Sequence, residues 1–504
     1  MNFSFQLGAF KFQAGKATPS PKRSFTAARI DRLSNDWLTP QTSADAELAG
    51  ALATLRSRSR ELERNNEYAQ GYLGLLENNV LGAGGVALEM KVVDPGGTPD
   101  VLASLAIKKA WQEWGQRDTC TMSGSICWRE VEGLAIRRTA ADGGLLIREF
   151  IGAPNRFGYA VDLMEIDQLD TDYNAVLAGG NEVRFGVERN QWKRPVAFHL
   201  FASHPGDSHP RRNGTRERIR VPAAEIIHLF WQERPSQTVG LPWMTSVMQS
   251  LEMLGKYREA ELVAAREAAC KGYAIEQTTP DGYDGEQDAN GNPVQETSPG
   301  MGLLLDPGQK YIGIDPTHPN TAFGDFVKSG LRGVAAGLRV NYNSLANDLE
   351  SVNYSSMRAG KLEEVEEYMN VQNWLVESLH NRVFRNWLEM GLVHGAIKMP
   401  NGSALPVAKL AKFNVPTWKP RRWPWVDPKK DLEAAILAVN NGFKSRRAVI
   451  AEMSQSDIET VFAEQQQDND LAETFDLEFP ADAPPSAAMP DPADLTSTPK
   501  QADE

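Results

Sequence analysis

Apolar residues recur at helical spacing through several stretches of this chain, and cluster in short runs between them. From Ala46 to about Val80 a helical pattern appears, in which Tyr68, Tyr72, Leu75 and Ala69, Tyr72, Leu76 fall three or four residues apart, with Leu62 before them. Gly82, Gly84 and Gly85 follow, which predicts one helix stopped by glycines. Leu102–Trp114 and Ile126–Arg138 read as further helices, and Gly144–Glu149 as a strand after an Asp-Gly-Gly turn. The pattern then changes. Tyr159–Ile166, Glu182–Val187, Pro195–Phe201, Glu217–Val221 and Ile226–Phe230 are short β-leaning runs broken by Gly, Pro and Asn. A sheet region beside helices makes the fold class α+β, rich in helix.

Pro242, suited to a first helical position, opens an unbroken helical pattern that runs to Cys270. At 1.5 Å per residue such a helix would be about 43 Å long. Residues 271–321 are turn-rich, with Gly302–Leu305 and Tyr311–Ile314 bracketing Asp306-Pro307-Gly308 as a hairpin. Helix resumes from Ala322 to about Leu338 and again from Met357 to Met390, while Asp427–Gln467 predicts two or three short helices around Gly442.

Between those last two long patterns lies Asn341–Arg358, almost entirely polar and short-sided. Asn, Ser and Asp compete with helical backbone bonds, so the run is expected to be an ordered loop. A connection of about 18 residues exceeds the usual length and is generally functional or disordered. Composition alone leaves two readings open, a solvated connector and a contact surface. The candidate contact residues are Asn341, Asn343, Ser344, Asn347, Ser351, Asn353, Tyr354, Ser355, Ser356 and Arg358.

Composition narrows the function classes. With 41% hydrophobic residues over 504 positions the chain can bury one large core or several smaller ones. No apolar run is long enough to span a bilayer, and the N-terminus lacks the pattern of a signal peptide. Cys120, Cys127 and Cys270 have no metal-ligand spacing and read as reduced thiols of a protein assembled in cytoplasm. The net charge of −13 is unevenly spread. Residues 468–504 carry ten acids against Lys500, together with six prolines, and are expected to be disordered; residues 1–60 carry nine Lys/Arg against four acids. Without its acidic tail the chain is only −4, so it is not a protein that grips DNA by charge.

Catalytic signatures are missing. There is no Gly-x-x-x-x-Gly-Lys-Ser/Thr phosphate loop, no His-Glu-x-x-His and no Gly-x-Ser-x-Gly. His199, His204 and His209 read as a surface loop rather than a metal site. Asp170-x-Asp172-x-Asn174 lacks the glycine and terminal Glu of a calcium loop. No catalytic residue, metal or cofactor is expected.

Several ordered motifs carry a family resemblance from about residue 50 to 467. They are Arg58-x-Arg60-x-x-x-Arg64-Asn65-Asn66-x-Tyr68-Ala69, Ile219–Phe230 with His228, and Arg234-Pro235-x-Gln237-x-x-Gly240-x-Pro242-Trp243. Gly333–Leu338, Asn353-Tyr354-Ser355-Ser356-x-Arg358 and Trp425-Val426-Asp427-Pro428 continue the series. In these the chain resembles the portal proteins of tailed bacteriophages, the lambda-type group. Val239 departs from the pattern, where a basic residue is expected before the Gly-x-Pro-Trp turn.

The resemblance implies a portal fold with wing, stem helices, clip, tunnel loop and crown. Mapped on this chain, after a flexible basic arm at 1–45 that composition alone suggests and the resemblance does not reach, 46–241 is the wing, 242–270 a stem helix, 271–321 the clip and 322–340 the second stem helix. Residues 341–357 are the tunnel loop, 358–426 the long returning helix with more wing, 427–467 the crown and 468–504 the acidic tail. It also implies a homo-oligomeric ring, a dodecamer, at one capsid vertex of the virion, conducting double-stranded DNA without sequence preference in packaging and ejection. Terminase, the major capsid and scaffold proteins and a head-completion adaptor would be its partners, and no membrane. Short polar groups suit a wall along which DNA slides, since each fixed cation on a phosphate adds affinity. Arg358 either contacts DNA or pairs with an acid such as Glu350 or Glu363. The rival readings are a head–tail adaptor without a conduit, and a hydrolase using acids near Asp167.

Overall fold

The structure is a computed structural model that describes residues 3–7, 10–14, 41–207, 217–269, 273–277, 309–313, 322–350, 354–423, 428–453 and 458–475. It opens with a hairpin, β1 (Phe3–Leu7) against β2 (Phe10–Ala14), where an unstructured arm was expected. The helix predicted over 46–80 is three pieces: α1 (Ala44–Leu48), α2 (Leu52–Asn65) and α3 (Glu67–Val80). Asn66 makes the second break. Its extended backbone ends α2, and its side-chain oxygen accepts hydrogen bonds from the amides of Tyr68 and Ala69, capping α3. β3 (Ala87–Met90), α4 (Val101–Trp114) and α5 (Trp128–Asp142) follow.

The strand pairs among the described residues are antiparallel, and an isolated parallel bridge joins Thr121 to Val161. β4 (Leu145–Ile151) lies between β5 (Tyr159–Met164) and β11 (Ile226–Leu229). A separate five-stranded sheet orders β6 (Ala175–Val176), β7 (Glu182–Arg184), β8 (Val187–Arg189), β9 (Pro195–Phe201) and β10 (Arg218–Pro222) as neighbours in sequence. Phe185 and Gly186, both at positive φ, make the two-residue turn between β7 and β8. His199 sits inside β9, which is paired on both sides by β8 and β10, and is buried beside Glu188 rather than in a surface loop.

The pattern starting at Pro242 becomes helix only at Met248, as α6 (Met248–Ala269). Residues before it turn instead, because the Trp243 amide donates to Ala140 O and pins the chain to the end of α5. Gly143 and Gly240 permit that crossing: a Cβ on Gly143 would lie 2.6 Å from the Leu241 carbonyl carbon, and one on Gly240 would overlap Gly143 O. Val239 is fully buried in the smaller of two apolar clusters, with Phe198, Leu200 and Val221, which explains an apolar residue where a basic one was expected. Beyond α6, β12 (Tyr273–Gln277) pairs with β13 (Gln309–Gly313). The second strand is close to the predicted Tyr311–Ile314, but its partner is thirty-odd residues earlier; the expected partner Gly302–Leu305 lies outside the described residues.

The remaining elements are α7 (Phe323–Leu338), α8 (Tyr342–Ala346), α9 (Tyr354–Leu375), α10 (Asn381–Val393), α11 (Leu410–Phe413), β14 (Pro416–Lys419), α12 (Pro428–Asn440), α13 (Arg446–Met453) and α14 (Ile458–Thr474). A π-turn, Val376–His380, joins α9 to α10 and seats His380 against the buried Glu132 of α5 at 2.6 Å. Helix α14 extends to Thr474, so the first residues assigned to the acidic tail are helical; 476–504 lie outside the described residues. The larger core gathers α3, α4, α5, β4, β5 and α10 around Trp111, Trp114, Trp128, Phe384 and Trp387.

Candidate functional site

Helices α6 and α7 run antiparallel and hold the polar run at one end. Their contact depends on glycine: a Cβ on Gly330 would meet Leu254 Cδ2 at 2.8 Å, and one on Gly337 would overlap Val247 Cγ1. Tyr257 of α6 lies against Phe323 and Phe326 of α7, ring centroids 5.6 and 5.0 Å apart. Arg339, in the left-handed region, ends α7 and turns the chain.

The polar run that follows is not a continuous loop. Asn341 caps α8, its side-chain oxygen accepting from the Asn343 amide at 3.1 Å, and Leu345 anchors the short helix in the core. Asn347, also left-handed, ends it. Helix α9 begins at Tyr354, four residues before the expected Arg358. Residues that disfavour a helix interior favour its caps, so an Asn- and Ser-rich run supplies boundaries here rather than a structureless connection.

Side chains fasten the segment on two sides. Lys328 of α7 reaches Glu350 at 3.2 Å and Asp348 at 3.5 Å. The Tyr342 hydroxyl donates to Asp348 Oδ2 at 2.8 Å, and the Glu350 amide donates to Asp348 Oδ1 at 3.0 Å. The Tyr342 hydrogen bond, then the Glu350 amide and Lys328, hold the Asp348 carboxyl below its usual range. The bond to Glu350, with Asp348 close by, holds the Lys328 ammonium above its own. On the other side the Ser344 hydroxyl donates to Glu364 Oε2 at 3.0 Å, and the Tyr368 hydroxyl donates to Glu364 Oε1 at 2.8 Å. Glu364 is buried, so these bonds keep a carboxylate satisfied inside the fold. A Cβ on Gly360 would overlap the side-chain Nδ2 of Asn341, so a larger residue there would have to push the capping side chain aside.

Of the ten candidate residues, Asn341, Asn343 and Ser344 are half-buried and Asn347 is exposed. Ser351 and Asn353 lie outside the described residues, while Tyr354, Ser355 and Ser356 form the start of α9. Arg358 pairs with Asp431 of α12 at 2.8 Å, not with Glu350 or Glu363; Glu350 is taken by Lys328. Sequence reasoning missed Lys328, Glu364, Gly360 and Asp431. Only Gly360, a glycine inside a helical pattern, gave a local sign.

The acids near Asp167 have another role. Arg60 of α2 pairs with Asp167 and with Asp142, while His204 lies 3.2 Å from Glu165 and 3.9 Å from Asp167. Glu165, Asp167 and His204 are close enough to share a cation, and the Arg60 guanidinium already supplies positive charge there. Asp170, from the tempting calcium-like run, accepts from Arg218 Nε at 2.7 Å.

Comparison with known proteins decides the family. The model of the lambda family of phage portal proteins matches residues 31–372. The chain belongs to this family. It is a portal protein of the capsid vertex, a ring-forming component of the virion, in a family that is structural rather than enzymatic. It is 34% identical over 434 residues to the probable portal protein of Halomonas phage phiHAP-1, covering 85% of this chain and 82% of that one. With portal protein B of Escherichia phage lambda it shares 22% identity over 470 residues, covering 85% of this chain and 86% of the relative. Among solved structures, a chain in the neck of an empty gene transfer agent particle is similar at 13% identity, with a TM-score of 0.42, covering 79% of this chain and 93% of that one.

Proposed function

We infer that about twelve copies of this chain form a ring through which double-stranded DNA passes during packaging and ejection. The family match over 31–372 carries the reading. In it, α6 and α7 are the stem, β12 and β13 belong to the clip that receives terminase and then the head-completion adaptor, and capsid and scaffold proteins meet the outside of the ring. Assembly takes place in the host cytoplasm.

Residues 341–357 face the DNA in this reading. The side chains of the segment suit sliding contact. Its acids are held by Lys328 and Tyr342, Arg358 is engaged by Asp431, and Asn347 is left exposed beside Leu349. Such a surface offers phosphates weak polar contacts and few fixed cations, which keeps sequence-independent affinity low. Negative-stain imaging of the purified chain tests the ring: closed rings of about twelve with an axial hole are expected, and monomers or dimers at high concentration would overturn it. Deleting Ser344–Val352 tests the segment. Rings should form while DNA packaging or retention fails; normal packaging would remove the segment from the channel.

A further inference from the structure

After β14 the chain folds back over the end of α3. Gln372 of α9 donates to Val80 O at 2.9 Å and to Arg421 O at 3.1 Å, and the Trp423 indole donates to Asn79 Oδ1 at 3.1 Å. These bonds place two consecutive arginines, Arg421 and Arg422, beside the glycine-rich turn that ends α3. An open cavity of about 500 Å³ lies there, walled by Asn78, Gly82, Gly84, Arg421, Arg422 and Met453 of α13.

The cavity has positive charge and free donors. Among the described residues no acid lines it, and acids on the flanking elements are engaged elsewhere: Glu77 with Arg129 at 3.6 Å, Glu132 with His380 at 2.6 Å and Glu452 with Lys444 at 2.9 Å. The carbonyls at the negative end of α3 are also covered. Arg421 donates to Asn78 O, and Arg129 donates to Gly82 O from Nε at 3.1 Å and Nη2 at 2.7 Å. Gly82, at positive φ, lets the Arg421 stem close over the turn, since a Cβ there would lie 2.9 Å from Arg421 Cδ. Arg422 differs from its neighbour: among the described residues it has no ion pair and no hydrogen bond. Ala83 and Gly84 are exposed, and their amides have no acceptor among the described residues. An unpaired guanidinium fork facing free backbone amides is the donor set that phosphate oxygens accept from.

We propose that this cavity binds a phosphate group, held by the Arg422 guanidinium and the Ala83 and Gly84 amides, with Arg421 at its edge. The group can come from the backbone of double-stranded DNA or from free phosphate, and a cavity much larger than one ion favours a phosphodiester with its sugars. The DNA source rests on the conduit reading above; the site itself does not. Titrating the full chain and Arg422→Gln with a short DNA duplex, and separately with inorganic phosphate followed by phosphorus NMR, tests it. The substitution should weaken phosphate binding by at least about fivefold. It should also lower the slope of log affinity for the duplex against log salt by about one. Thermal unfolding should not change, because Arg422 has no partner to lose. Weakened phosphate binding with an unaltered duplex slope would assign the site to free phosphate, and the reverse would assign it to the DNA backbone. Equal binding of both ligands by the two proteins, or no binding of either by the unsubstituted chain, would overturn the site and leave the ring standing.

Discussion

The aromatic core around α4, α5 and α10 and the α6–α7 pair solve the same packing problem in opposite ways. In the core, Trp111 meets Trp114, Trp128 and Trp387 at centroid distances of 4.8, 5.6 and 5.0 Å, and the Trp114 indole donates to Tyr159 O. Large side chains interlock from several directions, and almost all are buried. In the α6–α7 pair the helices meet on one narrow face, admitted by Gly330 and Gly337, while Met253, Leu262 and Phe326 remain exposed. The core carries its stability within one chain. The helix pair leaves apolar surface uncovered by its own chain, as a subunit of a ring can.

Removing a ring from the core should produce the largest effect. Trp387→Ala deletes a fully buried indole from the centre of the cluster and should cost about 3–5 kcal/mol in urea unfolding. A loss below about 1 kcal/mol would show that the core collapses into the space and is not the interlocked unit described.

Acid should weaken the same half of the molecule next. His228 in β11 is pushed down to about 3 by burial and then by the nearby Arg56 charge. The unfolded chain takes up that proton near pH 6.5 and the folded one does not until about pH 3, so stability falls as pH drops between those values, by a few kcal/mol. His228→Gln should flatten the profile in this window. An unchanged slope would mean another group titrates there.

The same contrast sets what the sequence made legible. Strand β9 spans the predicted Pro195–Phe201, and α4 begins one residue before its predicted start, because each buries a face whose period is written locally. The break at Asn66 was hidden by apolar spacing that continues across it. The late start of α6 depends on Trp243 bonding Ala140, a contact across about a hundred residues that no local pattern carries. The polar segment was visible as a candidate by composition, yet its fastenings were not. Lys328, Glu364 and Asp431 are ordinary charged positions on helices until the fold brings them to Glu350, Ser344 and Arg358.

Within the α6–α7 pair, one substitution type should act with opposite signs. Gly337→Ala would drive a methyl group into Val247 and should destabilise by about 1–3 kcal/mol, separating the helices near the polar segment. Thermal unfolding would register this, as would faster exchange of the α8 amides; a neutral result would mean that Val247 moves aside freely.

Gly255→Ala, on the partner helix, is the smallest and most discriminating change. A Cβ there meets only the side-chain Nδ2 of Asn66, at 3.9 Å, so the single chain has room for it. Higher helix propensity should then stabilise the isolated subunit by up to about 1 kcal/mol. If a neighbouring subunit packs against this bare position, the same methyl group should impair assembly while the isolated subunit gains stability. Measuring unfolding and ring formation on the one variant separates the two. A gain in both would leave the face of α6 at Gly255 outside any close subunit contact, and a loss in isolated stability would contradict the open space seen beside it.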